Sequence, residues 1–123
     1  MMTNEEKLAQ LNLWNKNTLM ETLEIVFTDL GDDYLVGTMP VNSRVHQPLG
    51  LLHGGANIAF AESLGSCLSN ILVAQEGKAA VGTNINSNHL KSKTSCYRDW
   101  ETDRKSTRLN SSHITRSRMP SSA

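Results

Sequence analysis

The chain has 123 residues, 38% of them hydrophobic, with twelve Lys and Arg against twelve Asp and Glu. That describes one small domain with a single modest core, short of burial and inclined to gain it by pairing with a second copy. No apolar run of about 18 residues stands out, and the N-terminus lacks the basic-then-apolar order of a signal peptide, so a soluble, cytoplasmic protein is expected. Two cysteines, Cys67 and Cys96, make neither a disulfide framework nor a metal-ligand spacing, and the four histidines show no i, i+4 pair. No metal and no cofactor is expected. The zero net charge hides an asymmetry: residues 1–93 carry six basic and nine acidic groups, residues 94–123 six basic and three acidic. Two pieces of different composition meet near Lys93.

Thr3 with Glu6 reads as a capping box opening a first helix through Leu8, Leu11, Leu13 and Trp14, and Thr18 with Glu21 repeats the signal for a short second one. Both are expected to cover one end of the core. The β-rich run Ile25-Val26-Phe27, the turn residues Gly31-Asp32-Asp33 and the run Tyr34 to Val41 predict a hairpin, its pairing limited by Pro40. A polar loop from Asn42 to Gly50 carries His46, Gln47 and Pro48 into Leu51-Leu52-His53-Gly54-Gly55-Ala56.

Behind it, small and apolar residues recur at helical spacing through Ile58, Ala61, Leu64, Gly65, Leu68, Ile71 and Leu72, predicting a helix that ends near Ala74 and is buried on nearly every side. Glu62, Ser63, Ser66 and Asn70 form a narrow polar stripe on it. From Val45 to Gln75, Glu62 is the one Asp, Glu, Lys or Arg. A carboxylate in such a setting is expensive unless it is hydrogen-bonded, paired or used. The alternative is a Glu62 that reaches solvent at an edge or caps a loop. Gly54-Gly55 opens the helix start to a ligand oxyanion, where unpaired amides and the positive end of the helix dipole lie, or else serves a tight turn. Glu62 stands eight residues after Gly54, about 12 Å along a helix, too far for both to act on one carbonyl. If both are catalytic they come from different subunits, two such helices lying antiparallel across a two-fold axis.

His53 either orients a carbonyl or caps the helix, and Gln47 either donates to a bound carbonyl or is solvated. Ala79 to Leu90 predicts a third strand, with Val81, Thr83, Ile85, Ser87 and His89 on one face and Asn84, Asn86 and Asn88 on the other. His89 is then a satisfied buried histidine or a site residue. After Lys93 come five of the six arginines, clustered serines, and apolar residues without a sustained period. No folded element is expected there, and no aromatic interleaving supports a nucleic-acid or membrane partner.

Gly50 to Ser66, with Gln47-Pro48 ahead and Val81-Gly82-Thr83-Asn84-Ile85-Asn86-Ser87-Asn88-His89 behind, resembles the hotdog-fold thioesterases. The likeness runs from about Leu8 to Lys93 and is greatest to the PaaI-like branch, which includes the dihydroxynaphthoyl-CoA hydrolases of menaquinone biosynthesis and the proofreading thioesterases of enterobactin synthesis. The resemblance implies an α+β architecture, a long central helix wrapped by an antiparallel sheet. It also implies homodimers or homotetramers with sites at the interface, and hydrolysis of acyl-CoA or aryl-CoA thioesters without a cofactor. On it, Glu62 matches the catalytic carboxylate, nucleophile or general base, and Gly54 the amide that polarises the thioester carbonyl, with Gln47 and His53 beside it. Ser66 matches a residue positioning the carboxylate or water; Ser63 and His89 match the acyl pocket, to which Gly55, Cys67, Val81 and Gly82 are added.

The departure is C-terminal. The family carries about three further strands where this chain has an Arg/Ser-rich tail, so a partial hotdog domain is expected over 1–93. Residues 94–123 resemble read-through of sequencing-adapter DNA and are expected to be disordered or artefactual. An incomplete sheet leaves an exposed edge, so low stability, association or aggregation, and weak or no activity are expected of the chain. The alternative readings are a non-catalytic acyl-CoA or acyl-carrier-protein binding module, or an inactive fragment.

Overall fold

The computed structural model describes residues 1–90, 92–93 and, as backbone, 104–110. Helix α1 (Asn4–Trp14) begins with the expected capping box: Thr3 Oγ1 accepts from Glu6 N at 3.1 Å and Glu6 Oε2 from Thr3 N at 2.9 Å. The second start differs. Thr18 Oγ1 accepts from Met20 N and opens the one-turn helix α2 (Leu19–Thr22), but Glu21 turns back to Asn17 N instead of closing a box. Of α1 only Leu11 is buried, while Leu13 and Trp14 stay exposed.

Strands β1 (Val26–Leu30) and β2 (Tyr34–Pro40) form the predicted antiparallel hairpin. Strict alternation from Phe27 would turn Asp29 inward. A register shift between Phe27 and Asp29 inserts one residue, so that Leu30 is buried instead. In β2 the alternation is unbroken, with Leu35, Gly37 and Met39 inward. Asn12 fastens α1 to β1: its Nδ2 donates to Phe27 O and its Oδ1 accepts from Phe27 N, both at 2.9 Å. A side-chain amide thereby stands in for a neighbouring strand.

After a single 3-10 turn (Ser43–Val45), helix α3 (Gly54–Ala74) crosses the inner face of the hairpin. Its fully buried Phe60, Leu64 and Leu68 share one core cluster with Phe27, Leu35 and Met39 of the hairpin. At the crossing a β-carbon on Gly37 would lie 3.2 Å from Leu64 Cδ2 and 3.3 Å from Phe27 Cδ1, so glycine sets how closely helix and sheet approach.

Four expectations are corrected. Helix α3 is not buried on nearly every side: only Phe60, Ser63, Leu64 and Leu68 are, because the sheet of one chain covers one face. Its 21 residues are also long and apolar enough to cross a membrane by length and composition, where no such run was expected; Phe60, Leu64 and Leu68 on it are fully buried. Ala79 to Leu90 forms no strand. Its alternation is present, but an isolated strand needs a neighbour for its backbone groups, and none runs beside it among the described residues. The third strand lies instead within the Arg/Ser-rich tail: β3 (Arg104–Asn110) pairs antiparallel with β2 in the order β1-β2-β3. Residues 94–103 and 111–123, on which the rest of the tail expectation and Cys96 fall, lie outside the described residues.

Candidate active site

The loop before α3 is closed by its own backbone. Gln47 N donates to Leu51 O and His53 N to Val45 O, both at 2.8 Å, and Gly50 takes a left-handed φ of 76° that suits glycine. Within it the Gln47 side-chain oxygen accepts from Leu49 N, which leaves the carboxamide NH2 as the donor end. His53 is the N-cap of α3: its Nδ1 accepts from Gly55 N at 2.8 Å. An accepting Nδ1 places the ring proton on Nε2. The Gly55 amide is therefore spoken for, whereas Gly54 N–H, in the first turn, meets no acceptor among the described residues.

Eight residues on, Glu62 is half-buried on the helix face turned away from the sheet. Its Oε1 accepts from Ser66 Oγ at 3.1 Å, one turn along. Ser66 O in turn accepts from Asn70 Nδ2 at 2.9 Å, so Glu62, Ser66 and Asn70 form one connected line. Ser63 leaves that line. It lies on the buried face and its Oγ donates back to Ala59 O at 2.7 Å, a local bond open to any mid-helix serine.

The segment after α3 lies along this face without being a strand. Ala80 N and O both bond the Asn70 carboxamide, at 2.9 and 3.0 Å, and Lys93 O accepts from Leu52 N at 2.8 Å. Between these ties, Gly82 sits so close to Glu62 Oε1 that a β-carbon would collide with it, and a β-carbon on Gly54 would lie 3.0 Å from His89 Nε2. The structure thus gathers the predicted residues into two groups on one helix face: Glu62, Ser66 and Gly82 midway along α3, and Gly54, His53, Gly55 and His89 at its start. His89 is exposed, not a satisfied buried histidine, and Val81 is 59% exposed. Cys67 packs on the hydrophobic core and not beside Glu62; burial raises its thiol from 9.0 to about 11.

Two residues were not singled out from sequence. Asn70 is visible only as a member of the polar stripe, and its bonds to Ala80 depend on where the following segment runs. His46, paired with Leu52 through an isolated bridge, keeps a buried Nε2 without a partner among the described residues. A shallow cleft lined by Asn12, Asn15, Lys16 and Glu24 lies beside α1 and β1 and shares no residue with either group.

No family model matches the chain. It is similar to the proofreading thioesterase EntH of Cronobacter sakazakii, 51% identical over 82 residues, which are 67% of this chain and 59% of that protein. Among solved structures it resembles a Gln-to-Ala variant of a Pseudomonas aeruginosa thioesterase (45% identity, TM-score 0.67, 70% of this chain and 62% of the other). It also resembles a Haemophilus influenzae thioesterase (39% identity, TM-score 0.65, 75% and 61%). The chain spans about three fifths of the length of these relatives. Over the residues they share, with a long helix laid across an antiparallel sheet, the chain has the hotdog fold of these thioesterases.

Proposed function

We propose that the chain serves the hydrolysis of acyl-CoA or aryl-CoA thioesters to free acid and CoA, in the manner of the PaaI-like branch, with Glu62 as the catalytic carboxylate. The observation that carries this reading is the state of Glu62: half-buried, one oxygen held by Ser66, the other without a donor among the described residues, on a helix face the sheet does not cover. A carboxylate so placed can take a proton from water or attack directly.

In the first route Oε2 removes a proton from water as the water oxygen bonds the thioester carbon. The carbonyl electrons move onto oxygen and return as the C–S bond breaks, and the proton passes to the departing thiolate, giving acid and thiol. In the second route Oε2 forms a mixed anhydride that water then opens, with the same net change. The developing oxyanion needs donors aimed at it. Gly54 N–H and the Gln47 carboxamide supply them in this reading, and the helix distance of about 12 Å supports a Gly54 from a second copy of the chain. A homodimer is the minimum assembly; two dimers joined as a tetramer are compatible with it.

A further similarity supports the pairing of Gln47 with Glu62. Two solved structures of one Staphylococcus aureus protein, called a thioesterase in the first, carry a Gln-to-Ala and a Glu-to-Ala substitution fifteen positions apart, with 37% and 35% identity to this chain. Gln47 and Glu62 are also fifteen apart. EntH is described as a proofreading thioesterase, and acyl groups on a carrier protein are the natural extension of the substrate range. The test is release of free thiol from benzoyl-CoA by the chain and its loss in Glu62→Gln. Equal release by both would remove Glu62 from the mechanism, and binding of benzoyl-CoA without release would favour a non-catalytic binding module.

A further inference from the structure

We propose that Asn70 is a positioning residue for Glu62, setting which carboxylate oxygen is presented for reaction. The inference rests on the hydrolase reading and extends it to an atom. Asn70 uses every polar atom of its side chain: Oδ1 accepts from Ala80 N at 2.9 Å, and the two Nδ2 hydrogens go to Ala80 O at 3.0 Å and Ser66 O at 2.9 Å. Because Ala80 offers one donor and one acceptor side by side, the carboxamide has a single satisfactory orientation. This is the pattern of a β-ladder pair, supplied by a side chain to a segment that has no strand neighbour of its own among the described residues.

The tether has a consequence two residues on. Gly82 is held against Glu62 Oε1, the same oxygen that accepts from Ser66 Oγ at 3.1 Å. Oε1 is therefore enclosed between a hydroxyl donor and a backbone that leaves no room for a β-carbon. Oε2 meets no donor among the described residues, and the geometry makes it the oxygen that takes the proton or attacks. Asn70 touches both sides of this arrangement, the backbone of Ser66 below the carboxylate and Ala80 at the root of the segment above it. A capping role does not account for it, since α3 continues four residues further, to Ala74.

The experiment uses the full chain labelled with 13C at glutamate carboxyl carbons, the Glu62 resonance being assigned by its absence in Glu62→Gln. In Asn70→Ala the Glu62 resonance is expected to move, and the Ala80 amide to exchange with solvent at least about tenfold faster while Phe27 and Leu35 amides in the hairpin keep their protection. With benzoyl-CoA, kcat is expected to fall about tenfold with KM within about twofold, the mark of an interaction used after binding. If Asn70→Ala does not fold, Ala80→Pro removes the same donor from the other side and leaves α3 unchanged. An unmoved Glu62 resonance, or an Ala80 amide already unprotected in the parent, overturns the proposal. A parent chain that releases no thiol removes the hydrolase reading instead, while the resonance and the exchange rate still decide whether Asn70 holds Glu62.

Discussion

At Gly82 a single methyl group separates two states of the site, because a β-carbon there would collide with Glu62 Oε1. Gly82→Ala is expected to push the carboxylate off Ser66 and lower kcat for benzoyl-CoA by roughly tenfold or more, a loss of at least about 1.4 kcal/mol in transition-state stabilisation, with the melting temperature little changed since Gly82 is exposed. Cys67 shows the opposite relation between chemistry and place. Its thiol, raised to about 11 by burial against the core, holds about a thousandth of its molecules as thiolate at pH 8. Iodoacetamide at that pH is expected to modify the Cys67 peptide more than tenfold slower than free cysteine, by mass spectrometry, and at the free rate in urea. Fast modification of the folded chain would contradict its burial. Glu62 stands out in the sequence because it is the lone charged residue in a long stretch. Ser63 was not placed correctly, because its neighbour Glu62 and its core-facing position differ by one helical step of about 100°, and a serine whose hydroxyl bonds Ala59 O carries no outward sign of burial.

Among the elements, the two asparagine clamps do equivalent work: Asn12 pairs with Phe27 and Asn70 with Ala80, each satisfying a backbone N–H and C=O that no strand among the described residues reaches. Phe27 is 1% exposed, so removing its partner leaves buried polar groups unpaired. Asn12→Ala is expected to destabilise the chain by about 2–3 kcal/mol, read as a shift in urea midpoint; an unchanged midpoint would mean that water takes over both bonds. Leu64, fully buried where α3 crosses Gly37, is expected to cost about 2–5 kcal/mol as alanine, enough to unfold so small a domain in mild denaturant. The hairpin and α3 could be read directly, since turn residues, alternation and helical period agree there. The 79–90 segment could not. Its alternation is that of a strand, but pairing is a property of two segments, and the partner strand of β2 comes from the tail, whose backbone pairing leaves no hydrophobic period to detect.

For the whole molecule, one chain supplies half of what the proposed mechanism needs. The α3 face bearing Ile58, Glu62, Ser69 and Leu72 is only partly covered, Leu72 being 40% exposed, and Gly54 is a helix length of about 12 Å from Glu62. A second copy laid antiparallel along this face would close both gaps. Leu72→Arg is expected to shift sedimentation from dimer to monomer and to abolish thiol release together, because the pairing face and the site are one surface; a monomeric variant with full turnover would show that the site is complete in one chain. The measurement that bears most directly on the account is the rate of free thiol release from benzoyl-CoA by the parent chain and by Glu62→Gln at equal folded concentration. The ratio matters more than the parent's absolute rate. A fall of at least about a hundredfold in kcat, the range associated with loss of a general base, is the predicted result. Turnover retained in Glu62→Gln would contradict it.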